Sequence, residues 1–215
     1  MPIDMSLELP TASALRRRCL IGAACTALVL GTLPPRAWAT RSIQVEGFNF
    51  PGDIGLAGTP LQLNGVGLRA VSFLKGYAAG LYLPRKASTP AQVLAQADTA
   101  RRLQLRMLQE VDAEEFVKAF HKGVERNTAP ADAARLAERA ARFSATVRSL
   151  GKLKKRDVID LDYLPGRGLQ LARNGAAVGS SVSGDDLYAA LLLCFIGNRP
   201  ADPEMKLGLL GGPVG

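Results

Sequence analysis

Cysteine and histidine are scarce in this chain of 215 residues, with three of the first and one of the second. Cys19 and Cys25 stand in an N-terminal apolar stretch, and everything after it holds only Cys194. One thiol closes no internal disulfide. It lies in LLLCFIG, an apolar helical run, and reads as a buried packing thiol. His121 is the lone histidine, and no pair of ligands stands at metal spacing. No zinc or iron site is therefore expected, and His121 reads as structural or half-exposed.

Other absences narrow the chemistry further. GxxxxGK[ST] does not occur, and no GxGxxG lies between a strand and a helix, so neither phosphate-cradling loop is present. A Ser–His–Asp hydrolase would need His121 as base, yet no nucleophile elbow accompanies it. No cofactor is expected. No period of 20–50 residues repeats and no low-complexity linker divides the chain. With 47% hydrophobic and 21% charged residues, the composition is that of one globular domain with a sizeable core.

What is present begins with a leader. Arg16-Arg17-Arg18 precedes an apolar run from Cys19 to Gly31, too short to span a bilayer comfortably. Ala37-Trp38-Ala39 has the small–x–small form of a cleavage site. Residues 1–39 read as a signal peptide, and the arginine pair also resembles a twin-arginine leader. The product is expected to be periplasmic or secreted, with membrane contact only through the leader. The formal charge is +8, and +6 once four arginines and two acids of the leader are removed. This excess is spread along the chain. It favours acidic small ligands or anionic surfaces, and nucleic acid is not expected.

Residues 40–215 read as one domain, expected to be a monomer. Ile43–Gly47 alternates like a strand, FPGDIGLAGTP is turn-rich, and Leu61–Gly65 reads as a short strand ending in a turn. Gly67–Leu83 supplies one long strand or a tight hairpin. Thr89-Pro90 starts a short helix, and Arg101–Leu108 a half-exposed strand. Asp112 caps a helix whose apolar stripe is Ala113, Phe116, Val117, Phe120 and Val124. A second helix spans about 130–150 and a last one 184–196, with Gly197 and Pro200 as its stop. Val158–Tyr163 and Leu169–Ala172 form a hairpin, and Asn174-Gly175 turns into a strand at 177–179. Ser180, Ser181 and Ser183 read as the turn and cap before the last helix. Asp160 and Asp162 share one strand face and read as solvated. Strands first and last with helices between make the class α+β, an antiparallel sheet packed on one face by helices.

Arg69 and Tyr77 are the open question. An arginine before an apolar strand is either a solvated edge residue or an anion clamp facing a pocket. On a straight strand the two would lie about 26 Å apart; in a hairpin both would reach one place. The small residues Ala78, Ala79 and Gly80 leave room for either a ligand or a close-packed helix.

Several blocks in order bear on that question: LNGVGLRAVSFLKGYAAGLYLP, VDAEEFVKAFHKGVERN, DVIDLDYLPGRGLQLARNG and GDDLYAALLLCFIGNRPAD, with the tail Met205–Gly211. Together they resemble the chalcone isomerase family, above all its exported bacterial branch, over about Ile43 to Gly211. The resemblance implies an open-faced β-sandwich with a ligand cleft between sheet and helices. In the plant enzymes, which close a chalcone into a flavanone, an arginine binds the substrate with threonine, tyrosine and asparagine partners. Arg69 matches the arginine, while Tyr77, Phe116 and Gly123 stand at the three partner positions. In the fatty-acid-binding relatives an arginine and a tyrosine hold the ligand carboxylate, and Arg69 and Tyr77 fit that pair. Phe116, Phe120 and the last helix would then line the apolar remainder. The resemblance implies a non-catalytic binder of a small anionic amphiphile, with an isomerase as the alternative that would rest on Arg69. A third reading fills the cleft with side chains and pairs Arg69 with a carboxylate such as Asp112 or Asp160.

Overall fold

The computed structural model describes residues 42–71 and 74–214, so the leader expected at 1–39 lies outside the described residues. In chain order the elements are β1 Ile43–Val45, β2 Phe48–Phe50, β3 Asp53–Leu56, β4 Thr59–Val71, β5 Leu74–Leu83 and α1 Pro90–Leu94. There follow β6 Arg101–Met107, β7 Val111–Asp112, α2 Ala113–Asn127, α3 Pro130–Arg148 and β8 Lys152–Leu153. The chain continues with β9 Val158–Leu164, β10 Gly168–Arg173, β11 Ala176–Val182, α4 Asp185–Ile196 and α5 Pro203–Leu209.

Seven strands form one antiparallel sheet in the order β11-β10-β9-β6-β5-β4-β3. Strand alternation gives the sheet two apolar faces. On one, Ala79, Leu81, Leu83, Leu103, Leu105 and Leu161 pack under the helices, as the α+β reading expects. On the other, Val66, Ala78 and Tyr82 meet Val45 and Phe50 of the separate β1–β2 hairpin.

Local rules explain most boundaries. Thr89 caps α1 and Asp112 caps α2, the Asp112 carboxylate accepting from the Glu114 N–H at 2.8 Å. Asn174-Gly175 turns with φ of 53° and 83°, both positive, the tight-hairpin pattern anticipated there. Ala57-Gly58 has the same geometry, with φ of 48° and 80°. The segment that reads as turn-rich therefore contains β3 as well.

Three expectations are corrected. The strand at Leu61–Gly65 does not end in a turn: its register shifts at Asn64, and β4 continues to Val71. This one-residue bulge keeps Leu61, Leu63 and Val66 on one face despite the odd-to-even change in numbering. Second, Ser180 and Ser181 lie within β11, and the residue at the α4 N-cap is Gly184, with no side-chain cap. Third, Asp160 and Asp162 are buried. Arg102 of the neighbouring strand donates from Nε and Nη2 to both Asp162 oxygens, at 2.6 and 2.7 Å, and Gln104 donates to Asp160 at 2.7 Å. Paired this way, the carboxylates tolerate burial.

The helix α5, not among the helices expected from the sequence, packs on β4 through backbone. A Cβ at Gly65 would collide with the Gly208 carbonyl oxygen, and one at Gly67 with Met205. The bulged Asn64 ties the two together. Its amide donates to Ala87 O at 2.9 Å and Leu209 O at 2.7 Å, while its carbonyl accepts from Ala87 N–H at 2.7 Å.

Candidate functional site

β4 and β5 pair so that Arg69 stands directly opposite Tyr77. Cross-strand partners project from the same face. The hairpin therefore brings together two side chains that a straight strand would have separated. Both line a cavity of about 340 Å³ between the sheet and the helices. Its floor is Leu105, Met107, Leu153 and Leu191, all buried. Phe116 and Phe120 of α2 form a wall, placed there by the stripe that Asp112 starts. Phe120 is held edge-on to Phe143 with ring centroids 5.2 Å apart. Exposed Ala119, Glu115 and Ala201 mark the rim. The Glu115 carboxylate accepts from Lys118 at 2.7 Å.

The polar end of the cavity is built on Arg69. Its Nη1 donates to Asp202 Oδ2 at 3.1 Å and to the Ala70 carbonyl at 3.3 Å. Among the described residues, its Nε and Nη2 hydrogens have no partner. The partner carboxylate is neither Asp112 nor Asp160, which cap α2 and meet Gln104 respectively. Asp202 was not singled out in the sequence, although Asp202-Pro203 is the N-cap and first-position signature of a helix. Its Oδ1 accepts from the Glu204 and Met205 N–H groups at 3.0 and 3.2 Å, so one carboxylate caps α5 and holds Arg69.

Burial raises the Tyr77 hydroxyl well above the usual phenol range, against a smaller lowering by Arg69. Tyr77 is thus a protonated donor at any ordinary pH. Cys194 also lines the cavity, and burial pushes its thiol up to about 12. Its Sγ points to the Ala190 carbonyl at 3.3 Å, so it is a packing thiol with no thiolate character. His121 is exposed and shares a hydrogen bond with the Ser144 hydroxyl at 3.0 Å, outside the cavity lining.

Gly123 does not reach the cavity. A Cβ there would lie 2.5 Å from Cys194 Sγ, because α2 and α4 touch at this point. Phe116 does reach it and carries no hydroxyl. Of the four positions that the isomerase pattern names, Arg69 and Tyr77 supply the polar groups.

A family model described as chalcone isomerase-like matches residues 42–211. The chain belongs to the chalcone isomerase-like family. No curated protein matches it. Among solved structures, a fatty-acid binding protein of Arabidopsis thaliana superposes with a TM-score of 0.59 at 22% identity. The match covers 79% of this chain and 96% of that one. It shares the chalcone isomerase-like fold, a curled antiparallel sheet with helices packed on it.

Proposed function

We propose that this member of the chalcone isomerase-like family is an exported, non-catalytic binding protein for a small anionic amphiphile, such as a fatty acid. The observation that carries the reading is a mostly apolar cavity with Arg69 and Tyr77 facing each other across one strand pair. The Nε and Nη2 edge of Arg69, without a partner among the described residues, suits a carboxylate, and the protonated Tyr77 hydroxyl adds a donor. Apolar walls with a few convergent polar groups are the usual make-up of a small-molecule site. A volume of about 340 Å³ lies within the range of small-molecule pockets, roughly 300–1,000 Å³. The fatty-acid binding of the Arabidopsis structure supports the same class of ligand.

Catalysis of the family type is disfavoured by the missing partners. One positioned donor of the oxyanion type is worth about 2.7–4 kcal/mol, and positions 116 and 123 provide none. The leader over residues 1–39 supports export to the periplasm or beyond.

Calorimetric titration with dodecanoate tests the proposal. The native chain binds it, and Arg69→Ala weakens binding about ten-fold or more, the loss of a charge-assisted hydrogen bond of roughly 1.5–3 kcal/mol. Absence of binding by the folded native chain, or indifference to Arg69→Ala, refutes it.

A further inference from the structure

Arg69 is already engaged within the chain: one of its N–H groups is held by Asp202, 133 positions further along. We propose that Asp202 is an internal competitor for the ligand head group: an anionic ligand on the Nε and Nη2 edge of Arg69 shares the guanidinium with Asp202 or draws it away, so the charge at position 202 sets the affinity and the head-group selectivity of the cavity. This inference rests on the binding reading above.

Four features support such a latch. Asp202 divides its two oxygens between two tasks. Oδ1 accepts from two backbone N–H groups of α5, and only Oδ2 meets Arg69. The guanidinium can therefore leave without uncapping the helix. The pair is also reachable by water, with the Arg69 and Asp202 side chains 29% and 13% exposed. Such a bridge is weak enough to be exchanged for another carboxylate, unlike a fully buried one.

The third feature is position. Ala201, next to Asp202, forms part of the cavity rim, and its N–H donates to the carbonyl of Cys194, another lining residue. A ligand in the cavity thus touches the segment that carries the latch. The fourth is charge. Arg69 and Asp202 carry opposite charges, and among the described residues the other charged lining residue is Glu115. An incoming carboxylate meets Asp202 as a like charge, whereas an uncharged head group does not.

Asp202→Asn separates the charge from the cap, since asparagine caps helices as well as aspartate does. Asp202→Ser keeps a capping oxygen too and serves as a second variant. Dodecanoate and dodecan-1-ol are titrated into the full chain, native and variant, with thermal unfolding as the folding control. The expected result is dodecanoate binding about ten-fold tighter in both variants, dodecanol binding unchanged, and the gain lost when Arg69→Ala is added. Variants that bind dodecanoate where the native chain binds little also support the latch. If dodecanoate binding depends on Arg69 yet neither variant tightens it, the latch is overturned and the binding reading stands. An equal gain for dodecanol overturns the latch as well, because charge is then not the cause. If neither the native chain nor the variants bind dodecanoate, the binding reading itself falls, and the latch with it.

Discussion

Replacing Asn64 by alanine should loosen the seam between β4 and α5. The side chain is 5% exposed and makes three hydrogen bonds to backbone, all at 2.7–2.9 Å. Alanine leaves the Ala87 N–H, the Ala87 carbonyl and the Leu209 carbonyl without their partner. Each buried group left unmet costs about 1–3 kcal/mol, and partial relaxation brings the total to about 3 kcal/mol. At roughly 2–4 °C per kcal/mol for a domain of this size, the midpoint falls by about 6–12 °C. Asn64→Asp sharpens the test. It keeps the acceptor for Ala87 N–H but aims a carboxylate oxygen at two carbonyls, so it should destabilise at least as much as alanine. Thermal unfolding by circular dichroism, with denaturant titration for the free energy, reads both. A loss under about 1 kcal/mol for alanine, or an aspartate milder than alanine, refutes the assignment of Asn64 as the tie between bulge and α5.

The remaining predictions concern the cavity and its surroundings. Ala119→Trp, an exposed rim change on α2, should block dodecanoate uptake in calorimetry while moving stability by no more than about 0.5 kcal/mol. Gly123→Asn forces α2 off α4 at Cys194, so it should destabilise by about 1–3 kcal/mol or more and yield no turnover of a chalcone in an absorbance assay. Burial pushes the Cys194 thiol from an ordinary value of 9.0 up to about 12. Its contribution to stability is therefore complete below pH 9 and is lost as pH climbs from 9 towards 12, at up to about 1.4 kcal/mol per pH unit. Cys194→Ala should flatten that part of the stability–pH curve, read by denaturant titration; an unchanged slope would show the thiol to be solvated.

Elements governed by neighbours in sequence are legible in the sequence itself. The stripe of α2, its Asp112 cap and the Asn174-Gly175 turn all follow from local spacing. Arg69 and Tyr77 were legible as candidates, but their meeting depended on whether the chain turned between them, which either strand pattern allowed. The burial of Asp160 and Asp162 is hidden in the sequence because it needs Arg102 and Gln104 on a neighbouring strand as partners. Alternating polar residues look the same facing water and facing such partners. The largest omission was Asp202: its helix is one of seven residues, too short for a periodic signal, and its contact with Arg69 crosses most of the chain. Only the Asp-Pro pair at 202–203 pointed to it.

The glycine contact between β4 and α5 also carries a kinetic consequence. Gly65 and Gly67 meet Gly208 and Met205, pairing an early strand with nearly the last residues of the domain. Contacts so far apart in sequence form late, since the loop between them must close first. Loop closure therefore orders the assembly: β4 finds β5 first, and Arg69 receives its carboxylate only when the segment around residue 202 docks.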